Sequence, residues 1–299
     1  MIYQKLTNVF DFVGVINVDK YPNYKKEPLL DGFLSMFVVG LSYPNIFLPQ
    51  KHDKLNASMY TYGIDYHIVI KKIIDEALKG EEYQVYVDNH ELNERKALEL
   101  TGLAYLGKNN LMINKDFGSY FFIGLVVTKT KYDEVITKNT DSCGNCVKCI
   151  KACPVNALFD GFDITKCLSA VNQSKKPFSD EEIAKNYLLL GCDICQRVCP
   201  KNKGIVNDFH DHFKTSEETY VLIDDLFKLS NKEFMKKYGK QAYSWRGKTL
   251  LLRNALTILL KQKNTSYNEE IKKTLVDDKY PSWYKEDASK ILRKLEELC

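Results

Sequence analysis

The run CGNCVKCIKACP puts Cys143, Cys146, Cys149 and Cys153 within eleven residues and closes on Pro154. This C-x2-C-x2-C-x3-C-P spacing is that of bacterial ferredoxins, in which the fourth cysteine serves a different cluster from the first three. A [4Fe–4S] cube takes four thiolates, so the run alone leaves two incomplete sets. A second group, GCDICQRVCP, adds Cys192, Cys195 and Cys199, and Cys167 stands alone between the two. The count then closes at eight. Cys143, Cys146, Cys149 and Cys199 make one set, and Cys153, Cys167, Cys192 and Cys195 make the other. Zinc is the competing reading, because C-x2-C pairs also suit tetrahedral thiolate sites. Nested triple spacing, a proline after each run and a total of eight favour two cubes. The ninth cysteine, Cys299, is left as a spare thiol.

The remainder of the chain bounds what the clusters can serve. At 299 residues and 44% hydrophobic content, it is large enough for two or three domains with their own cores. It contains no apolar run long enough to span a membrane. The opening MIYQKLTNVFDFVGVINVDK has no charged segment followed by an apolar one and no twin arginine, so the expected compartment is the cytoplasm. Thiols there serve metals or catalysis more often than disulfides. Charge is uneven. Residues 232–299 carry 16 Lys and Arg against 9 Asp and Glu, a net +7, which leaves −3 for the rest of a chain of net +4.

Periodicity divides the chain into three stretches. Residues 1–135 read as α/β: GFLSMFVVGLSY as a buried strand, YHIVIKKIIDEALKG as an amphipathic helix, YQVYVD as a strand ending at Asp88, NERKALELTGL as a helix and YFFIGLVVT as a strand. Residues 136–210 hold the cysteine groups. Residues 211–299 are helical, with GKTLLLRNALTILLKQ and PSWYKEDASKILRKLEEL as the clearest segments.

The stretch YVDNHELNERKALELTGLAYLGKNNLMINKDFGSYFFIGLVVT, with YGIDYH before it and CLS and GCDICQRVCPKN after it, resembles the epoxyqueuosine reductase family; RGKTLLLRNALTIL resembles the start of that family's HEAT-like tail. The resemblance implies an α/β cobalamin-binding domain, a ferredoxin-like domain with two [4Fe–4S] clusters and an all-α HEAT-like tail. It also implies a reaction, reduction of the epoxide of epoxyqueuosine in tRNA to queuosine. Reduced cobalt would attack an epoxide carbon while a carboxylic acid protonates the opening oxygen. Asp88 matches the acid, and burial beside the corrin would have to raise its pKa from about 4. Read without the family, Asp88 is an N-cap for the following helix. His67 and His90 are read as hydrogen-bonded structural residues. After Asp88, where the family usually has a small residue, Gly and Pro, this chain has Asn89, His90 and Glu91.

The resemblance further places Ser58, Asp88, Lys108, Asn109, Met112, Ile123, Ser169, Cys192 and Asp193 around the corrin. It makes the partner a tRNA with a queuosine-type anticodon loop, whose target base must leave the stack to reach the cobalt. Lys175, Lys176, Lys248, Arg253, Lys272, Lys273 and Arg293 are the candidate phosphate contacts; the bland alternative is a solvated lysine-rich face. An external low-potential donor would feed the clusters of a monomeric enzyme. The competing functions are a dehalogenase-like cobalamin reductase and a ferredoxin-type electron carrier, which would have no use for Asp88.

Overall fold

The computed structural model describes residues 1–207 and 210–298, so Cys299 lies outside the described residues. The fold groups into two compact units, each drawn from three stretches of chain. One comprises residues 1–45, 65–148 and 196–214, the other residues 46–64, 149–195 and 215–299. The three consecutive segments 1–135, 136–210 and 211–299 are therefore not how the chain packs. Residues 46–64 leave the first stretch because their strand Lys54–Asn56 pairs with the distant strand Tyr220–Leu222.

In the first unit, a four-stranded sheet runs in the order Phe12–Asn17, Ser35–Ser42, Phe121–Thr128, Gln84–Tyr86, every neighbouring pair antiparallel. The two central strands pair over eight residues, from Ser35 opposite Thr128 to Ser42 opposite Phe121. Their β-branched and aromatic residues suit a surface covered on both sides. One face, with Met36, Val38, Leu125 and Val127, joins Ala97 and Leu98 of the helix Glu94–Thr101 in a single core. Ile70 of the helix Tyr66–Ala77 lies over the other face at Gly124. Gly40 is required where it stands, because a Cβ there would sit 1.9 Å from the ring of Phe12. The edge strand Phe12–Asn17 was not foreseen. It is short, and it is buried along nearly its whole length, so it offers no alternation to read.

In the second unit the helix Lys248–Lys261 is central. Eleven of its fourteen residues are buried, and the helices Asn268–Val276 and Ser282–Glu296 pack around it. A helix hydrophobic on most sides must bury its few polar residues too, and these form a connected network. The Arg253 side chain is fully buried. Its Nη1 donates to Asp287 Oδ2 at 3.3 Å and to the carbonyl of Lys176 at 2.9 Å, its Nη2 to the carbonyl of Ser174 at 2.9 Å, and its Nε to Asn254 Oδ1 at 2.7 Å. Asp287 also accepts from the Phe178 amide at 2.8 Å. Burial pulls the guanidinium down to about 10, partly offset by Asp287, and burial pushes the Asp287 carboxyl up.

Arg253 therefore cannot be a phosphate contact; it pins the segment that carries Lys175 and Lys176. Lys248 is likewise only 7% exposed and donates to the carbonyl of Leu226 at 2.8 Å, so it is no surface charge either. Counting charges along the sequence could not separate these two from the exposed lysines. Among the described residues, no helix is long and apolar enough to cross a membrane.

Removing one member of a buried ion pair strands the other and its partners, at about 3–5 kcal/mol. Arg253→Leu should lower unfolding free energy by that order in urea titrations. A loss below about 1 kcal/mol would place the pair outside the stabilising core.

Candidate functional site

Cysteines distant in sequence come close together, and Cys149 of the expected first set lies among the neighbours of Cys195. No disulfide joins them among the described residues. Cys199 is close enough to Cys143 and Cys146 to feel both. Burial first, and then these neighbours, push its thiol up, while the amides of Lys201 and Asn202 pull it down. Cys195 is pushed up to about 12, first by burial and then by Cys192, Cys167, Cys149 and Cys153. Cys192 is pushed up to about 11, mostly by burial, against the Ile194 amide and the Tyr187 hydroxyl. Cys167, remote in sequence, is thus beside Cys192 and Cys195.

Donors face the sulfurs. The Lys108 amide is 3.5 Å from Cys143 Sγ, the Ala157 amide 3.3 Å from Cys153 Sγ, and the Tyr187 hydroxyl 3.5 Å from Cys192 Sγ. Such bonds favour thiolate and raise the potential of an attached cluster. Among the described residues, no three His, Cys, Asp or Glu side chains converge on a point as ligands of one ion do.

The acid candidate occupies a different local setting. The chain leaves the strand Gln84–Tyr86 through buried Val87 and turns at Asp88 and Asn89, both left-handed, with φ of 45° and 47°. Asp and Asn tolerate that conformation better than other side chains. Asn89 thus makes the turn without glycine. The Asp88 amide donates to Glu94 Oε1 at 2.8 Å, and His90 Nε2 lies 3.1 Å from the same oxygen. The capping alternative for Asp88 is overturned, since the N-cap of Glu94–Thr101 is Asn93, whose side chain accepts from the Lys96 amide.

Around the Asp88 carboxylate are residues that the sequence reading passed over. Tyr66 donates its hydroxyl to Asp88 Oδ2 at 2.7 Å. His67 Nε2 lies 3.7 Å from that oxygen and 3.1 Å from the Asn89 amide nitrogen, while its Nδ1 is 2.7 Å from Asp65 Oδ1. The Tyr66 ring stacks on Phe122 at 4.3 Å and on His67 at 4.1 Å. Asp65 and His67 thus form one hydrogen-bonded pair and Tyr66 and Asp88 another, the two 3.7 Å apart, and His67 is the hydrogen-bonded residue expected, placed near Asp88. The available signal is the sequence YGIDYH, which sets Asp65, Tyr66 and His67 side by side at the start of a helix. Asp88 remains 61% exposed, so the protein's own packing does not bury it.

The other expected site residues divide. Asn109 is buried and its Nδ2 has no hydrogen-bond partner, an orphan amide suited to a polar ligand group. Lys108 is committed elsewhere: its Nζ donates to the carbonyls of Gly144 at 2.7 Å and Cys146 at 3.2 Å, bracing the cysteine loop. Met112 belongs to the sheet core, and Ile123 packs against it while partly exposed. In the second unit, the buried Ser58 hydroxyl donates to buried Asp193, which also accepts from the Met59 amide at 3.1 Å. Ser169 is partly exposed one residue beyond Leu168, which follows Cys167. Lys175, Lys176, Lys272, Lys273 and Arg293 are exposed. Lys272 is already paired, with Glu269 at 2.9 Å and Glu296 at 3.3 Å.

A double set of thiols with amide donors, on a mixed α/β fold with a helical C-terminal region, defines an iron–sulfur redox protein. Residues 142–202 match the 4Fe-4S double cluster binding domain, and zinc is set aside. The chain is 34% identical over 273 residues to the epoxyqueuosine reductase of Bacillus anthracis, covering 85% of this chain and 70% of that one. A solved epoxyqueuosine reductase from Bacillus subtilis, described with its catalytic aspartate loop swung out of the active site, superposes with a TM-score of 0.86 at 26% identity, over 99% of this chain and 91% of that one. The fold also matches, with a TM-score of 0.83 at 24% identity over 99% and 98%, an epoxyqueuosine reductase solved with an epoxyqueuosine-modified tRNA stem loop. This chain belongs to the epoxyqueuosine reductase family, a family of oxidoreductases.

The division of thiols between two cubes has a direct readout. Cys167→Ser and Cys199→Ser should each lower iron from about eight to about four per chain after anaerobic reconstitution, and each should leave one cluster signal by electron paramagnetic resonance. Loss of both clusters, or of neither, in either variant would refute the crossed assignment.

Proposed function

We propose that the chain reduces the epoxide of epoxyqueuosine in tRNA to queuosine, with Asp88 as the proton donor. The balance is simple: both carbon–oxygen bonds of the epoxide break, two electrons and two protons enter, and an alkene and water leave. The observation that supports the role of Asp88 is the hydrogen bond it accepts from Tyr66, with His67, itself bonded to Asp65, 3.7 Å away. A donor must regain a proton after each turnover, and His67, backed by Asp65, is suited to return one. Tyr66, fixed by stacking on Phe122, orients the carboxyl oxygen that it contacts.

Cobalamin, when bound, supplies a nucleophilic reduced metal for the carbon centre. In the first unit, the orphan Nδ2 of Asn109 fits an amide-rich corrin rim, with Ile123 as apolar wall and Lys108 bracing the cysteine loop. Exposure of Asp88 and its consecutive left-handed residues suit a loop that swings inward with its substrate. Corrin and base would then supply the burial that a neutral carboxyl requires. Electrons come from an external low-potential donor through the clusters, in a cytoplasmic monomer.

The test is an anaerobic assay with epoxide-bearing tRNA, cobalamin and a low-potential reductant. The wild-type protein should form queuosine. Asp88→Asn should keep iron and cobalamin while losing about 10²–10⁴ in single-turnover rate. His67→Gln should lose less and alter the pH profile. An unchanged rate in Asp88→Asn would remove the acid role, and an inactive wild-type protein holding both cofactors would remove the substrate assignment.

A further inference from the structure

Within the second unit there is a cavity of about 350 Å³ that no part of the proposed chemistry uses. That volume lies within the roughly 300–1,000 Å³ of small-ligand pockets. Its lining has an uneven character. The charged lining residues are Lys175, Arg246 and Lys248, with no carboxylate, and the apolar wall includes Phe234, Met235 and Trp283.

Three further observations converge on an anion. Arg246 has a buried Nε with no hydrogen-bond partner, although its guanidinium is held over the Trp245 ring at 4.0 Å. A guanidinium nitrogen taken from water without an acceptor is an unmet demand. Lys248 is 93% buried, its ammonium donates to the neutral carbonyl of Leu226, and the charge acting on it nearby is another cation, Lys279. A buried charge without a counter-charge is costly, and an entering anion relieves it. The fourteen-residue helix Lys248–Lys261 begins at this cavity, with Gly247 in the cap position and no side chain capping its first amides. Space beside Gly247 is open, since a Cβ there would meet nothing within 4 Å. Helix starts of this kind attract phosphate.

The apolar wall narrows the ligand. A free phosphate would need only the cations, whereas Trp283 with Met235 and Phe234 offers a flat surface on which a base can stack. We propose that this cavity binds one nucleotide of the substrate RNA, phosphate toward Arg246, Lys175 and the start of the Lys248–Lys261 helix, and base against Trp283. The nucleotide is a second one, distinct from the nucleotide that reacts. Lys248 thus returns to RNA recognition through a cavity and not through the surface. The assignment rests on the RNA substrate reading above but not on the epoxide chemistry.

The test therefore uses an anticodon stem-loop RNA without the epoxide. The chain has two tryptophans, so Trp245→Phe leaves Trp283 as the sole reporter. In that background, RNA should quench Trp283 fluorescence, and Arg246→Gln should remove most of the quenching. Arg246→Gln with Lys175→Ala should weaken RNA affinity by about tenfold or more at fixed salt. Each lost phosphate contact should also lower the slope of log affinity on log salt by about 0.7. With epoxide-bearing tRNA, the same pair should raise KM by more than it lowers kcat. Cluster absorbance and melting temperature should match the parent protein. Unchanged affinity and salt slope in the folded double variant would overturn the proposal, as would quenching by inorganic phosphate alone equal to that by RNA. If epoxide reduction fails but RNA still quenches Trp283 in an Arg246-dependent way, the pocket stands and the reaction assignment falls.

Discussion

Thiolates brought close together in a partly buried setting repel one another and resist losing water. Residues 142–202 are organised around that problem. Burial alone lifts Cys192 and Cys195 well above an ordinary thiol, and neighbouring thiols lift Cys195 further. Iron resolves the conflict because it binds the deprotonated sulfur and neutralises it. The amides of Lys108 and Ala157 and the hydroxyl of Tyr187 contribute in the same direction. Tyr187 is itself held as a donor: burial keeps its phenol protonated, and the Asp193 amide donates to its oxygen at 2.8 Å. Asp193 in turn is fixed by Ser58 and the Met59 amide. A residue expected at the corrin therefore also reaches the cluster, through one hydrogen bond and one phenol.

What could be read in advance follows from how local each constraint is. The strands Ser35–Ser42 and Phe121–Thr128 and the helix Tyr66–Ala77 announce themselves, because apolar periodicity and stop signals lie within one window of sequence. Cys167 stood out for a different reason: a ligand count that must close singles out a lone thiol wherever it lies, and Cys167 does lie beside Cys192 and Cys195. The contact between Tyr66 and Asp88 was not legible. It joins residues 22 positions apart, on a helix and on a loop whose approach is set by sheet packing. Nor could the two compact units be read from composition, since the pairing of Lys54–Asn56 with Tyr220–Leu222 leaves only a weak local pattern.

Charge was the least reliable guide. The same C-terminal count contains Lys272, exposed and bound to two carboxylates, and Arg253, sealed in the core with an aspartate and backbone carbonyls. Both add one to the net charge, yet neither is free to follow a phosphate backbone. The useful distinction is whether a cation's surroundings already satisfy it. Arg246 and Lys248 differ from the others on that measure, with a bare Nε in one and no carboxylate partner beside the other.

A similar balance explains the Asp88 loop. The Asp88 carboxylate is placed to accept, from the Tyr66 hydroxyl at 2.7 Å, with His67 Nε2 3.7 Å away. Proton donation asks for the reverse, a neutral carboxyl away from cations and water. One fixed position cannot serve both states well. An exposed loop turning on two left-handed residues can alternate, resting where the carboxyl is solvated and hydrogen-bonded and working where ligand covers it. In this chain Asn89 takes the second of the two left-handed positions, and its side-chain amide nitrogen lies 3.1 Å from His67 Nε2. The residue after Asp88 thus ties the resting loop to His67. Strengthening that tie would stabilise the proton-accepting state at the expense of the proton-donating one.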